Sequence, residues 1–474
     1  MVTSIKVTVL FVFVVLITLA FTTRKETYQQ KTKASKPNII IILTDDQGYG
    51  DVGFNGCKDI PTPNIDKIAN DGVVFSNAYV TYPVCAPSRA GLITGRYQDR
   101  FGYSRNPLYK PNDASIGLSV EEQTLASYLQ TAGYYTKAIG KWHLGVHSIY
   151  HPLNRGFNEF YGFLGGGHRY FSEEFDVEDY REAKNEGQSY RTKLIRNKST
   201  VEVTDYLTDA LTNEGVDFIE KNKNKPFFLY LAYNAPHSPL QASQKYLDRF
   251  NQIQNPKRKT YAAMVSAVDD GVGLVLNKLA EHHLTENTIV IFLSDNGGPK
   301  EDNGSYNGIL KGGKGSLWEG GVRVPFAIRW PAQIKANTKY NKPVSSLDIF
   351  ATIASNIQDA PTPKNSLDGT NLLPFITGNN SNQPHEFLFW RQFDQKNYAV
   401  LQTANQYKTV VLKDSVQHLF SLSKDVSEKN NLLLQETDYF SNLLKEYKKW
   451  EANMIPPAIY GLNQEELYKK EKGK

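Results

Sequence analysis

Pro37-Asn38-Ile39-Ile40-Ile41-Ile42-Leu43-Thr44-Asp45-Asp46-Gln47-Gly48 decides the fold class. The unbroken aliphatic run from Ile39 to Leu43 shows no polar alternation, so both faces of this strand are expected to be buried. Such a strand belongs in a parallel sheet covered by helices, and it stops abruptly at two adjacent carboxylates. The plan recurs downstream. Tyr134 to Ile139 runs into Gly140-Lys141-Trp142-His143, Pro226 to Tyr233 into Asn234-Ala235-Pro236-His237, and Asn287 to Leu293 into Ser294-Asp295-Asn296-Gly297-Gly298. Between these runs, Ser119 to Ala132, Thr204 to Lys221 and Thr260 to Leu279 carry apolar residues at helical spacing. Alternating strands and helices predict an α/β fold whose ligands sit beyond the carboxyl ends of the strands.

The polar clusters fall on those ends. Asp45 and Asp46 are neighbouring carboxylates, and like charges ~4 Å apart repel by about 4 kcal/mol at an effective dielectric of about 20, which a cation relieves. With Asp295 and Asn296 arriving from another strand end, the donors are all oxygen and suit a hard ion, Ca²⁺ or Mg²⁺. As isolated turn residues, Asp46 and Asn296 need no ion. Lys141, His143, His237 and Lys314 add two cations and two imidazoles to the same rim, a cradle for a tetrahedral oxyanion such as sulfate or phosphate. His147, His151, His282 and His283 are read as structural.

Cys85 lies in Val84-Cys85-Ala86-Pro87-Ser88-Arg89-Ala90-Gly91-Leu92-Ile93-Thr94-Gly95-Arg96, on a Pro-containing turn with Ser88 as the expected N-cap of a helical run. A helix N-terminus favours a thiolate or an anionic substrate. A buried, inert thiol fits the same pattern. No Cys-His-Asp order stands out, and a thiolate prefers carbon or sulfur electrophiles. The residues alone describe a metal-assisted hydrolase of an anionic ester with an unexplained cysteine.

Across 474 residues, 22% charged and 40% hydrophobic content excludes global disorder, and 28 Tyr with 24 Phe suit aromatic-lined surfaces. The net charge of +5 arises partly from the flanks Arg24 to Lys36 and Lys469 to Lys474, so no nucleic-acid surface is expected. Lys6 followed by the apolar run Val7 to Phe21 has signal-peptide proportions and is short for a membrane span of ~20 residues. Residues 1–23 are therefore expected to be a signal peptide, with no stable membrane span, and the protein to be exported, periplasmic or secreted; an uncleaved leader acting as an anchor is the alternative. Cys57 and Cys85, the two cysteines, form no disulfide framework. Residues 24–36 read as a linker and 37–378 as the catalytic domain, in which the Gly-rich stretch Lys311 to Pro325 lets backbone approach a ligand. Residues 385–462 read as a smaller subdomain with strands at Phe387 to Trp390, Tyr398 to Gln402 and Lys408 to Leu412 and a helix near Phe440 to Trp450. Residues 463–474 form a charged tail whose last ten or so residues are expected to be disordered.

Cys85-Ala86-Pro87-Ser88-Arg89 with Leu92-Ile93-Thr94-Gly95-Arg96 resembles the signature of the formylglycine-dependent type I sulfatases, arylsulfatase-like members of the alkaline-phosphatase superfamily. Gly140-Lys141-Trp142-His143-Leu144-Gly145 resembles their second signature. The likeness continues through Thr44-Asp45-Asp46, Ala235-Pro236-His237, Ser294 to Gly298, Gly313-Lys314-Gly315 and Glu319 to Pro325, and reaches Leu419-Phe420-Ser421-Leu422 with Asp425 and Asn430. It implies an α/β fold of alkaline-phosphatase type, a large mixed sheet flanked by helices, with a smaller C-terminal α+β domain carrying a short antiparallel sheet. It also implies that a maturation enzyme oxidises Cys85 to formylglycine, whose hydrate attacks sulfur with one hydroxyl and uses the other to eliminate sulfate. By position, Asp45, Asp46, Asp295 and Asn296 would hold one Ca²⁺, with residue 85 completing the shell. Arg89 and Lys141 would orient and polarise residue 85. His143 would take the proton that triggers elimination, while His237 and Lys314 would bind sulfate and assist the leaving oxygen. The implied substrate is a sulfated polysaccharide or oligosaccharide, with Arg100, Arg105, His168, Arg169 and Trp318 as candidates to face the sugar. A phosphoester or phosphonate ester hydrolase of the same superfamily and a non-catalytic sulfated-glycan binding protein are the alternatives.

Overall fold

The computed structural model describes residues 36–472; the expected signal peptide and all of the linker but Lys36 lie outside them. In chain order the strands are β1 (Asn38–Thr44), β2 (Val73–Phe75), β3 (Ala78–Tyr79), β4 (Tyr135–Lys141), β5 (Glu159–Phe163), β6 (Leu194–Arg196), β7 (Ser199–Val201) and β8 (Phe227–Ala232). They continue with β9 (Thr288–Ser294), β10 (Phe326–Arg329), β11 (Thr338–Tyr340), β12 (Val344–Ser345), β13 (Phe387–Gln392), β14 (Asn397–Gln402), β15 (Tyr407–Leu412) and β16 (Val416–Ser421). Ten of them form one sheet in the order β11-β2-β10-β9-β1-β8-β4-β5-β6-β7. Its centre, from β9 to β5, is parallel, and β10 and β6 join it antiparallel.

The aliphatic run of β1 explains its central place. Ile39, Ile41 and Leu43 enter one apolar cluster and Ile40 and Ile42 the other, so each face of the strand is packed, each such side chain contributing roughly 1.5–3 kcal/mol. The helices Leu207–Asn222 and Pro256–Glu281 cover one face. Cys85–Thr94, Leu125–Thr131 and Asp348–Ser355 cover the other. The register sets the site: Thr44 pairs with Ser294, so Asp45-Asp46 and Asp295-Asn296 leave the sheet side by side.

β13 to β16 make a separate antiparallel sheet, packed under the helix Thr437–Glu451. Its other face shares a cluster with Tyr79, Leu317 and Val322. Trp390 donates its indole N–H to the Val80 carbonyl at 2.7 Å, a hydrogen bond between this sheet and the segment leading to Cys85.

Three expectations are corrected. The helix expected from Ser119 starts at Leu125, because the Thr124 hydroxyl accepts from the Ser127 N–H and caps it there. Ser88 is no N-cap: the helix begins at Cys85 with Val84 as cap residue, since Pro87 in the first turn forgoes an N–H that needs no partner. The tail is ordered through Lys472, as a turn at Leu462–Gln464 and a helix Glu465–Lys472, where Tyr468 donates to Asp113 Oδ2 at 2.9 Å and lies under the Lys110 ammonium. Among the described residues no helix is long and apolar enough to cross a membrane.

His151 carries a pH term of its own. Its Nδ1 accepts the Leu153 N–H at 3.2 Å, and burial, then the Lys198 charge, push its pKa from 6.5 down to about 4. Between those values the unfolded chain binds the extra proton. Stability is therefore complete above pH 6.5 and is lost as pH falls toward 4, by about 2–3 kcal/mol. His151→Asn is expected to flatten that slope in denaturant titrations at stepped pH.

Candidate active site

The carboxyl ends of β1, β4 and β9 and the start of the Cys85–Thr94 helix meet at one buried centre. Asp46 accepts from Asn296 Nδ2 at 2.7 Å and donates its own N–H to Asp295 Oδ1 at 3.2 Å. Cys85 Sγ is 3.6 Å from Asp45 Oδ1. One ligand atom each from Asp45, Asp46, Cys85 and Asp295 lies within 4.8 Å of all the others.

Cations surround the carboxylates. Arg89, one turn beyond Cys85, sets its guanidinium on Asp295, with Nε at 2.9 Å and Nη2 at 2.8 Å from Oδ2, and donates Nη1 to the Lys141 carbonyl at 3.1 Å. Lys141 Nζ lies 2.5 Å from Asp45 Oδ2 and Lys314 Nζ 2.7 Å from Asp46 Oδ2. Burial opposes ionisation of Asp46, but Lys314, His237 and the hydrogen bond from Asn296 together outweigh it and bring the carboxyl down to about 2. At Asp295 burial and the Asp45 charge win and push it up to about 6. The Asn296 side-chain oxygen is buried with no hydrogen-bond donor among the described residues. A buried oxygen without a donor beside three carboxylates fits a hard divalent cation.

His143 and His237 complete the rim. His143 sits at φ +58° with neither ring nitrogen partnered among the described residues, and burial followed by the Lys141 and Arg89 charges holds its pKa well below 6.5. His237 lies 3.6 Å from Asp46 and bonds the Ser238 carbonyl through Nδ1 at 2.6 Å; burial and Lys314 bring its pKa down to about 3. Both imidazoles are therefore neutral at neutral pH.

All ten residues singled out in the sequence converge here: Asp45, Asp46, Cys85, Arg89, Lys141, His143, His237, Asp295, Asn296 and Lys314. The proposed sugar contacts fare differently. Arg100 forks onto Asp368 and Arg105 onto Asp394. His168 is buried against the Arg169 and Thr192 carbonyls, Arg169 faces Glu174 at 3.3 Å, and Trp318 stacks under Lys311 and beside Phe420.

Sequence reasoning missed two supports. Glu186, half-buried, accepts the Gly166 N–H at 2.8 Å, and a methyl at Gly166 would stand 2.4 Å from its Oε1 and 2.7 Å from His143 Nε2, so glycine is needed for this wall to close on His143. Lys408 of β15 is fully buried between Glu319 Oε1 at 2.8 Å and Glu428 Oε1 at 3.0 Å. Glu428 also accepts the Glu319 N–H at 2.8 Å and, through its carbonyl, Lys311 Nζ at 3.2 Å. Lys408 of the antiparallel sheet and Glu428 just beyond it thereby fasten both ends of the loop that carries Lys314. Local sequence carries no signal for Lys408, whose partners lie far away in the chain.

The sulfatase family model matches residues 37–358, and a second, described as N-sulphoglucosamine sulphohydrolase, C-terminal, matches residues 313–453. The chain belongs to the sulfatase family. Sulfatases are sulfuric ester hydrolases. This sulfatase is 34% identical to human (Homo sapiens) steryl-sulfatase over 427 residues, covering 75% of this chain and 72% of that protein. It is 36% identical to human N-acetylgalactosamine-6-sulfatase over 352 residues, covering 72% of this chain and 66% of that protein, just under two thirds. The crystal structure of Ps i-CgsB in complex with k-i-k-neocarrahexaose is 40% identical, with a TM-score of 0.85 over 92% of this sulfatase and 97% of that chain.

Proposed function

We propose that this sulfatase is exported and hydrolyses sulfate esters of a sulfated polysaccharide or oligosaccharide, using a formylglycine made from Cys85 by a maturation enzyme, with one Ca²⁺ held by Asp45, Asp46, Asp295, Asn296 and residue 85. The observation that carries the chemistry is the meeting of three carboxylates, three cations and two neutral imidazoles around residue 85. The likeness to a sulfatase that binds a carrageenan hexaose supports the sugar class. The apolar run Val7 to Phe21 supports export.

Residue 85 is unsuited to act as a thiol, since burial pushes it up to about 12 and leaves little thiolate at neutral pH. Formylglycine supplies a geminal diol there, and the calcium ion supplies a fixed double positive charge beside it. Arg89 and Lys141 fix and polarise residue 85 from the helix side and the β4 side. Lys314 and His237 would bind sulfate oxygens, and Lys314, which keeps its proton at neutral pH, would protonate the leaving oxygen. His143 would receive the proton from residue 85 that triggers sulfate release. Residues 37–378 carry this chemistry and 385–462 brace it.

Removing divalent cations with a chelator is expected to lower the melting temperature, because Asp45, Asp46 and Asp295 then repel one another. Calcium restored at about a hundred times its dissociation constant should return about 2.7 kcal/mol, readable by calorimetry without turnover. The function itself is tested by sulfate release from carrageenan and glycosaminoglycan oligosaccharides against an aryl sulfate. Release from at least one sulfated sugar is expected, and release from aryl sulfate alone refutes the substrate class.

A further inference from the structure

We infer that the cleft beside residue 85 is a subsite for an uncharged pyranose ring joined to the sulfated one. The inference rests on the sulfatase reading above and adds what the neighbouring ring must be. The cleft encloses about 220 Å³, below the roughly 300–1,000 Å³ of a drug-sized pocket and on the scale of one ring. Val84 and Gly315 line it, and they are the chain neighbours of Cys85 and Lys314. A ring seated here can therefore be linked directly to a sugar whose ester lies between those two residues.

Three distant segments build the walls: Ser104 to Asn106, the turn after β13 with Asp394 and Gln395, and the ordered tail at Asn463 and Gln464. Arg105 and Asp394 are the charged residues of the lining, and they neutralise each other through a forked pair, Nε to Oδ2 at 2.7 Å and Nη2 to Oδ1 at 2.6 Å. What remains is neutral hydrogen-bonding capacity. The Ser104 hydroxyl is 3% exposed and has no partner among the described residues. The Asn106 amide oxygen accepts the Ala86 N–H at 3.0 Å and that of Gln464 the Gly461 N–H at 3.0 Å, which leaves both NH₂ groups as donors. A buried hydroxyl without a partner, amide donors and a cancelled ion pair match the hydroxyls of a neutral sugar ring. A sulfate or carboxylate on that ring would meet Asp394 with no free cation in the lining to balance it, so the same arrangement rejects a charged neighbour.

Sulfate release by the matured protein is compared on three probes: neocarrabiose sulfated on galactose alone, neocarrabiose with a second sulfate on its anhydrogalactose, and the sulfated galactose monosaccharide. Wild type is expected to prefer the neutral-neighbour disaccharide over the doubly sulfated one by about tenfold or more in kcat/KM. Ser104→Ala and the surface variant Gln395→Ala should each lower the disaccharide-to-monosaccharide ratio about tenfold, chiefly through KM. Asp394→Asn leaves Arg105 uncompensated and should shift the preference toward the doubly sulfated probe. Equal kcat/KM for the two disaccharides, or a ratio unmoved in both Ser104→Ala and Gln395→Ala, overturns the subsite while leaving sulfated-sugar hydrolysis intact. Release from aryl sulfate but from none of the three sugars overturns the carbohydrate reading, and the subsite with it.

Discussion

Cys85→Ser is expected to yield a folded protein whose sulfate release falls by roughly 10⁴-fold or more, the scale on which removing a nucleophile acts. Serine nearly matches the cysteine it replaces in size, and Sγ makes only a long contact to Asp45, at 3.6 Å, so stability should change by about 1 kcal/mol at most. The loss is chemical. A serine carries one oxygen on its β-carbon and cannot form the geminal diol that lets sulfate leave by elimination. Sulfate release and thermal melting measured on the same preparation separate the two effects: a variant that melts normally yet retains activity within tenfold of wild type would refute residue 85 as the nucleophile's source.

Lys408→Ala is expected to cost about 3–5 kcal/mol of stability, the range for removing one partner from a buried ion pair. Lys408, Glu319 and Glu428 all have 0% exposure, and Tyr79 donates to the same Glu319 at 2.8 Å. Without the ammonium, two buried carboxylates face each other. Burial already pushes Glu428 up to about 7 with Lys408 present, so protonation of one glutamate should recover part of the loss at low pH. Equilibrium urea unfolding at neutral and acidic pH measures both effects. A loss below about 1 kcal/mol would mean that the cluster does not hold the Lys314 loop, and the combination of Lys408→Met with Glu319→Gln should regain much of what the single change loses.

The site was largely legible in the chain because its parts are local. β1 and β9 are runs too apolar to be anything but buried strands, β4 is a mixed run that follows the same strand-to-polar-turn plan, and their polar ends, Asp45-Asp46, Lys141 with His143, and Asp295-Asn296, lie at or just beyond them in sequence. A parallel sheet then brings those ends to one edge. What escaped depends on distant pairing. Lys408 sits near the start of the strand Tyr407–Leu412, where a lysine reads as solvent-facing until the Glu319 loop closes over it. β2 and β11, three residues each, are too short to show a period. The tail looked charged and unstructured because its order comes from Tyr468 meeting Asp113 and Lys110, in contact only after folding. Arg100 and Arg105 drew attention as sugar-facing cations, yet each already has a carboxylate partner far along the chain.

The most direct measurement is mass spectrometry of the peptide spanning residue 85, taken from preparations of graded activity made with and without a formylglycine-generating enzyme. The fraction of residue 85 recovered as aldehyde should rise in proportion to sulfate release, and preparations holding only the thiol should be inactive. Full sulfatase activity from protein in which Cys85 remains an unmodified thiol would contradict the proposed mechanism.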